Sequence, residues 1–234
     1  PAVMEAWSRD ENEHVRRLAS EGCRPRLPWS FRLEALIRDP SPVAPILENL
    51  RADDSLDVGK SVANHLNDIT KDHPDWTLAT LRRWTTKHPH TAWIARRALR
   101  TLIKAGHPEA LALFGVKTGA NVRVENFRLS ADSITLGEHL TFSCDIISTA
   151  KRTQRIIADY AVHYVKKSGE HSRKVFKLSK FDLPPKGRVT IGKSQRFQDF
   201  TTRKHYAGEH RIELLLNGRS VFDAAFHLYL ARSP

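Results

Sequence analysis

Two acidic residues, Glu21 and Asp68, each lie within a run of basic residues that has helical spacing. In segment 57–71 the apolar residues recur at steps of three or four, and Asp68 falls on the opposite side with the polar residues. Segment 13–24 repeats this pattern around Glu21. A carboxylate on a positive surface weakens the binding of a polyanion, but it can stabilise a cationic transition state. These two residues are therefore our candidates for catalysis.

Ordinary pairing on the surface of solvated helices is the alternative explanation for the same spacing. It would join Glu21 to Arg17, and Asp68 to Asn64 and Lys71. Such pairs contribute only about 0.2–0.5 kcal/mol each. Spacing alone leaves both interpretations open.

The helices that must position these acids recur along the chain. A third basic helix is predicted over 92–105. Equivalent apolar residues of the three helices lie 43 and then 36 residues apart, at Val15, Val58 and Ile94. These intervals bracket the roughly 40–47 residues of a HEAT or armadillo helix pair. The spacing therefore indicates a helical solenoid.

Companion helices are predicted between the basic ones, over about 42–52 and 74–87, opened by Ser41 and Pro74. Thr91 is predicted to cap the third basic helix. Stacked helix pairs place equivalent helices on one surface. We therefore expect the three basic stripes to form one concave wall that suits the phosphates of a duplex.

Charge points to a polyanionic partner. The 234 residues include 38 Lys and Arg against 26 Asp and Glu, which gives a net charge of +12 and a pI near 10.0. Residues 116–234 hold 21 of these basic residues but only 11 of the acidic ones. The second half of the chain therefore needs a role in any nucleic-acid complex.

Cysteine use and hydropathy indicate the compartment. Cys23 and Cys144 fall in different predicted domains, so we expect no disulfide and a reducing environment. The sequence shows neither a signal peptide nor an apolar run near 18 residues. We expect a cytoplasmic monomer that needs no membrane.

The hydrophobic period changes from 3.6 to 2 after residue 115, which predicts a change from helices to strands. The predicted domains are 1–115, helical; 116–121, a linker; and 122–234, a β-sandwich. Strands are expected at about 122–129, 133–136, 140–146, 160–165, 173–178, 188–197 and 210–230, the last divided by the hairpin turn Asn217-Gly218. Seven or eight short strands describe an antiparallel sandwich of immunoglobulin-like class.

Several strings in the sequence resemble a known family. RRLASEG at 16–22, RPRLPW at 24–29 and SVANHLND at 61–68 closely resemble the bacterial DNA alkylation repair glycosylases of the AlkC type. The resemblance covers essentially the whole chain. It implies a HEAT-like α-solenoid followed by an immunoglobulin-like domain. Members of the family carry further helical repeats ahead of the point where this sequence begins, so we expect 1–115 to lack N-terminal repeats.

The resemblance implies excision of cationic N3-methylated bases, such as 3-methyladenine and 3-methylcytosine, from double-stranded DNA. Such a base already carries positive charge, so it leaves without a strong general acid. Hydrolysis then requires support for an oxocarbenium-like sugar and for the attacking water, a role that carboxylates fill in glycoside cleavage. Asp68 is the first choice for this role and Glu21 the second. Trp29, which otherwise would be a core residue between repeats, is expected to contact the cationic base or the deoxyribose.

Phosphate contacts are expected from basic residues and from a few neutral ones, since contacts independent of base identity dominate when damage is recognised. In the helical domain the candidates are Arg16, Arg17, Arg24, Arg26, Lys60, Ser61, Asn64, His65, Lys71, Arg97, Arg100 and Lys104. In the second domain they are Lys166, Lys167, Arg203 and Lys204, which by resemblance clamp the duplex. The alternative for the latter is solubility charge on a structural sandwich. An open helical wall has no deep base pocket, so we expect the lesion to be read in or near the duplex.

Other chemistry finds no support in the sequence. No cluster of thiolates, histidines or carboxylates has metal-ligand spacing, and no glycine-rich phosphate loop is present. We therefore expect no metal and no cofactor. A non-catalytic DNA-binding or scaffold protein is the alternative function, because solenoids and immunoglobulin-like domains both serve as interaction modules.

Overall fold

The computed structural model describes residues 2–84, 88–201 and 204–230, which form two compact units divided between Ala105 and Gly106. The first unit is helical and the second is a β-sandwich. The division lies ahead of the boundary predicted at 115, because a short helix at Pro108–Ala112 groups with the sandwich. Among the described residues, no helix is both long enough and apolar enough to cross a bilayer.

The helical unit has eight α-helices within the described residues. They are α1 (Ala2–Trp7), α2 (Glu13–Glu21), α3 (Glu34–Arg38), α4 (Ala44–Asn49), α5 (Leu56–Ile69), α6 (Pro74–Arg83), α7 (Pro89–Ala98) and α8 (Arg100–Lys104). A short 3-10 turn, Ser41–Val43, precedes α4. The basic helices α2, α5 and α7 are neighbours, with α5 in contact with both of the others.

The central helix α5 buries the apolar face that the sequence predicts. Val58, Val62 and Leu66 are completely buried and Ile69 is nearly so. Because α5 has a helix on each side, most of its polar residues are buried too, Asp68 among them. The prediction that this polar side faces solvent is wrong for much of the helix.

The third basic helix differs from the prediction of one continuous helix over 92–105. It starts at Pro89, breaks at Leu99, and resumes as α8. Pro89 suits the first turn of a helix, where its missing N–H has no partner to lose. Thr91 is therefore not the cap, and its hydroxyl instead donates to the carbonyl of Arg51 at 2.9 Å.

The second unit begins with α9 (Pro108–Ala112) and contains eight strands within the described residues. They are β1 (Val122–Leu129), β2 (Ser133–Thr135), β3 (His139–Ser148), β4 (Gln154–Val165), β5 (His171–Leu183), β6 (Arg188–Arg196), β7 (Gly208–Leu216) and β8 (Arg219–Tyr229). One sheet has the order β1-β3-β6 and the other β2-β8-β7-β4-β5. All predicted strands are present. The described strand pairs are antiparallel, as the sandwich prediction expects, except that the short strand β2 pairs with β8 in parallel.

The turn between β7 and β8 is the predicted Asn217-Gly218 hairpin, with φ of 49° and 77°. The buried Asn217 amide accepts the N–H of Ile157 at 2.8 Å and donates to the carbonyls of Gly119 and Arg155 at 3.0 and 3.1 Å. These bonds attach the predicted linker, 116–121, to the sandwich. The segment is thus part of the second unit and not a free connection.

Candidate active site

Glu21 and Asp68 meet on the side chain of Arg24, which lies just beyond α2. The Arg24 Nη1 donates to Glu21 Oε1 at 2.6 Å, and its Nε donates to Asp68 Oδ2 at 2.9 Å. Hydrogen bonds between ionised partners are stronger than neutral ones. Two carboxylates that the sequence singled out on separate helices therefore share one guanidinium.

The shared guanidinium is enclosed, since the Arg24 side chain is only 9% exposed and that of Asp68 only 6%. Arg24 is thus not the phosphate contact that the sequence predicted, because two carboxylates already use its donors. Taking ions out of water is unfavourable unless each has a partner. The three side chains therefore depend on one another.

Glu21 is the member of this cluster that faces an open groove, of about 390 Å³, on the surface of the helical unit. Its Oε1 is held by Arg24, and its Oε2 accepts the hydroxyl of Ser61 at 2.7 Å. Both oxygens are therefore fixed in orientation. The groove is otherwise lined by Arg17, Asp57, Lys60, Asn64 and Arg97.

Asp68 lies deeper than Glu21 and does not line this groove. Its Oδ1 accepts a hydrogen bond from Lys71 Nζ at 3.1 Å, and the Lys71 side chain is 47% exposed. The formal charges of Glu21, Arg24, Asp68 and Lys71 sum to zero. Lys71 is the exposed cation of the four, so it can turn to a ligand and leave a net charge of −1 behind.

His65 is completely buried, and it is not available as the phosphate contact that the sequence predicted. It lies on α5, which packs against both α2 and α7, and its side chain has no contact with solvent. Burial, and to a smaller extent the positive charge of Arg24, lower the pKa of His65 to about 3. Its ring has a weak contact with the Ser20 backbone, and neither nitrogen makes a well-formed hydrogen bond.

Other predicted phosphate contacts already have acidic partners. Arg16 holds Asp53 by two hydrogen bonds and Arg26 holds Asp72 in the same way. Lys60 Nζ lies 2.8 Å from the carboxylate of Asp57, its partner three residues earlier. The pairs of Arg26 and Lys60 lie at the surface, where ion pairs contribute little to stability, so a phosphate can compete with their carboxylates. The Asp53 side chain is only 6% exposed, so its pair with Arg16 is more enclosed.

Arg17 and Arg97 are the exposed cations of the groove, and among the described residues no carboxylate lies within ion-pair distance of either. Arg97 also stacks over the ring of Trp93, 5.5 Å from its centroid. Arg100 is half-buried and donates to the Arg97 carbonyl at 2.7 Å, and burial lowers its guanidinium pKa. Asn64 and Lys104 are half-buried as well.

Trp29 is completely exposed and has a φ of 62°. The left-handed region is unfavourable for a bulky residue, so such a conformation suggests a functional constraint. The loop that carries Trp29 is fixed by the Arg26–Asp72 pair and by a hydrogen bond from the Leu33 N–H to the Pro25 carbonyl at 3.1 Å. Trp29 is therefore a presented aromatic and not a core residue between repeats.

The same loop presents a second aromatic, Phe31, which is 78% exposed. Phe31 is not among the functional residues predicted from the sequence. The sequence does contain a feature that could have identified Phe31. It is a second large aromatic residue two positions after Trp29, in a segment with neither helical nor strand periodicity. An exposed pair of aromatics at one loop is a feature of interaction sites.

Trp29→Gly is expected to make the helical unit about 1 kcal/mol more stable, because glycine removes the strain of positive φ and the exposed ring makes no packing contribution. Urea unfolding followed by circular dichroism at 222 nm measures the change. Trp29→Ala is the control, since alanine removes the ring but keeps the Cβ that causes the strain. Equal stability of the two variants would show that Trp29 is not strained in solution.

The candidate contacts on the sandwich are surface residues. Lys166 and Lys167 lie in the turn between β4 and β5, where Lys166 pairs with Glu170 at 3.1 Å. Lys204 is exposed. Arg203 lies outside the described residues. Their role in binding DNA stays a prediction.

Known proteins are similar to this chain in sequence and in fold. Residues 123–230 match the family described as the C-terminal Ig-like domain of the uncharacterised protein YhaZ. The YhaZ protein of Bacillus subtilis is 46% identical over 217 residues, which are 93% of this chain and 60% of that protein.

A solved structure provides the same comparison in three dimensions. It is the Pseudomonas fluorescens alkylpurine DNA glycosylase AlkC bound to DNA containing an abasic site analog, with 52% identity and a TM-score of 0.94. The match covers 97% of this chain and 63% of that one. The chain therefore spans about three fifths of the length of these relatives. Across that span the chain is similar in sequence to both AlkC and YhaZ, and similar in fold to AlkC.

Proposed function

We propose that this protein is a DNA repair glycosylase that hydrolyses the N-glycosidic bond of cationic N3-methylated bases in duplex DNA. The observation that carries the proposal is the Glu21–Arg24–Asp68 cluster at the edge of a groove with exposed cations. Similarity to a protein described as an alkylpurine DNA glycosylase supports it. We propose 3-methyladenine and 3-methylcytosine as substrates.

The proposed reaction breaks the bond between C1′ of the deoxyribose and the methylated base. The base takes the bonding electrons and becomes neutral, which leaves positive charge on the sugar. Water then bonds to C1′ and releases a proton to a carboxylate. Fixed negative charge near C1′ stabilises the cationic sugar more than the neutral ground state, and only such a difference accelerates the reaction. No enzyme amine takes part, so the glycosylase is monofunctional.

Each carboxylate has a distinct place in this proposal. Glu21 faces the groove with both oxygens fixed, so it is positioned to orient the attacking water. Asp68 lies deeper than Glu21, contacts the same guanidinium of Arg24, and adds a second negative charge to the site. When Lys71 turns to a phosphate, Glu21, Arg24 and Asp68 together carry a net charge of −1. Binding of DNA thus creates the negative charge that stabilises the cationic sugar.

Recognition within the duplex is the second part of the proposal. Of the residues that the structure describes, no aromatic one lines the groove beside Glu21, so this lining lacks the stacked walls that hold a flipped base. Trp29 and Phe31 stand exposed on a fixed loop of the same unit and are available to the sugar or to a cationic base. The positive charge and weakened stacking of the lesion then supply the selectivity.

The decisive experiment is single-turnover release of base from duplexes that contain 3-methyladenine or 3-methylcytosine, with DNA binding measured in parallel. Release by the 234-residue chain should fall about 10²–10³-fold in Asp68→Asn and in Glu21→Gln, the usual loss when one electrostatic stabiliser is removed. Binding should hold or tighten, because each change removes a negative charge near phosphate.

Asp53→Asn is the matched control, since Asp53 also pairs with an arginine, Arg16, but lies outside both the cluster and the loop that carries Trp29. Assays run below the unfolding transition of every variant keep stability out of the comparison. Binding without release by the parent chain would reject the proposal and favour a non-catalytic DNA-binding protein. Release that survives both substitutions would reject the carboxylate mechanism.

A further inference from the structure

The hydroxyl of Ser61 joins the helices α2 and α5 beside the groove. Ser61 lies on α5, and its Oγ donates to Oε2 of Glu21, the last residue of α2, at 2.7 Å. The two residues are 40 positions apart, so their contact depends on the packing of α2 against α5. Ser61 borders the groove but is only 2% exposed. A side chain this deep can hold Glu21, but it offers almost no surface to a ligand.

The single hydrogen of this hydroxyl is committed to the carboxylate. A serine hydroxyl donates one hydrogen bond, and an ionised carboxylate only accepts. A serine inside a helix often bonds the carbonyl four residues earlier, but the acceptor of Ser61 is on a neighbouring helix. While it holds Glu21, Ser61 cannot donate to a phosphate oxygen. The prediction from sequence that Ser61 contacts phosphate therefore conflicts with its position in the fold.

Two donors from different segments fix the Glu21 carboxylate. Arg24 Nη1 donates to Oε1 at 2.6 Å, and Ser61 donates to Oε2. The last torsion of a glutamate side chain is broad, so one donor leaves the plane of the carboxylate free to turn. A second donor on the other oxygen removes this freedom. Ser61 thus determines the direction in which the remaining lone pairs of Glu21 face the groove.

A neutral donor is suited to this task. A lysine or arginine at residue 61 would also hold the carboxylate, but its charge would cancel the negative charge that stabilises a cationic sugar. A hydroxyl adds orientation and leaves the net charge of the cluster unchanged. Orientation matters for the rate, since a reacting group displaced by about 1 Å can lose about 10²-fold.

We infer that Ser61 is a positioning residue for base hydrolysis, which orients Glu21 through its hydroxyl and does not contact DNA. The inference rests on the proposed function for the role of Glu21 as the group that orients the attacking water. It changes the place of Ser61 from the surface that binds DNA to the layer of side chains behind the reacting groups.

The test compares single-turnover base release and DNA binding for the parent chain, Ser61→Ala and Ser61→Cys. Ser61→Ala should lower the rate constant about 10-fold and leave the dissociation constant unchanged. Ser61→Cys keeps a weaker donor at similar volume, so its rate should lie between the other two. Ser8→Ala is the matched control and should release base at the parent rate. Ser8 is also 2% exposed, and its hydroxyl donates to the Glu5 carbonyl at 2.6 Å, outside the cluster.

The same substitution made in Glu21→Ala separates positioning from a general structural effect. With no carboxylate to orient, Ser61→Ala should change the rate of that variant by less than about twofold. An equal 10-fold loss in both backgrounds would overturn the inference, because Ser61 would then act independently of Glu21. Weaker binding with an unchanged rate would also overturn it and return Ser61 to the phosphate contacts.

Urea unfolding of the parent, both single variants and the double variant tests the contact without activity. Each substitution removes the partner of the other, so their effects on stability should not add. Additive effects would show that Ser61 does not hold Glu21 in solution. If the parent chain releases no base, the proposed function and the role of Ser61 both fail. Equal release by the parent and Ser61→Ala removes the role of Ser61 alone.

Discussion

Replacing Arg24 by methionine is expected to lower the free energy of unfolding by about 3–5 kcal/mol, the usual effect of removing one partner from a buried ion pair. Methionine keeps much of the aliphatic volume, so the loss arises from charge and not from a cavity. Glu21 and Asp68 would then face each other without the cation that both contact. Urea unfolding at pH 7, followed at 222 nm, measures the change.

Two controls separate this effect from a general loss of charge. Arg26→Met removes an arginine with two hydrogen bonds to Asp72, but that pair is at the surface and its loss should have a much smaller effect. Arg24→Met/Asp68→Asn removes one of the stranded carboxylates and should recover part of the stability. If Arg24→Met proves no more destabilising than Arg26→Met, the cluster does not exist in solution as described.

His65 is expected to make the helical unit sensitive to acid well above the range in which carboxylates protonate. Its pKa is near 6.5 in the unfolded chain and about 3 in the folded protein. As the pH falls below 6.5, the unfolded chain binds a proton that the folded protein does not, so stability is lost progressively down to about pH 3. At up to about 1.36 kcal/mol for each pH unit, this residue alone should remove on the order of 2 kcal/mol between pH 6.5 and 4.5.

The measurement compares the parent chain with His65→Leu by urea unfolding at several pH values. Leucine is apolar, has no group that titrates, and also replaces two ring nitrogens that make no well-formed hydrogen bond. The difference in stability between the two proteins should therefore shift in favour of the variant as the pH falls, whereas other titrating groups cancel. A difference that is constant from pH 7 to 4.5 would contradict the buried, neutral histidine.

The sequence carried enough information to identify the two acids but not their connection. Helical period placed Glu21 and Asp68 on neighbouring helices, and α2 and α5 are in contact. That Arg24 joins them depends on the path of the chain after α2 and on a side-chain conformation, neither of which spacing encodes. Arg24 was therefore predicted to bind phosphate, like any arginine in a basic stripe.

The errors on α5 have one physical cause. A helix with one packed face has an exposed polar side, and the assignments of Ser61, His65 and Asp68 to a solvent-facing surface assumed such a helix. Because α5 is packed between α2 and α7, only a narrow part of its circumference stays open. The hydrophobic period of a helix predicts where its buried face is centred. How far that face extends around the helix depends on how many helices pack against it.

The strands were easier to predict than the helices because alternation and turn chemistry agree. The residues of β3 alternate between buried and more exposed positions along its length, and Asn217-Gly218 adopts the two positive φ angles that divide β7 from β8. The strain at Trp29 had no such signal. Its positive φ opposes the preference of the residue itself, so the residue type does not predict it.

The position of β5 at the end of its sheet has a consequence for how the protein behaves at high concentration. An edge strand of 13 residues has unpaired backbone groups that can add a strand from another molecule. β5 carries Arg173, Lys174, Lys177 and Lys180, and repulsion between such charges opposes pairing of two identical edges. Positive charge on this edge strand therefore protects the protein against aggregation.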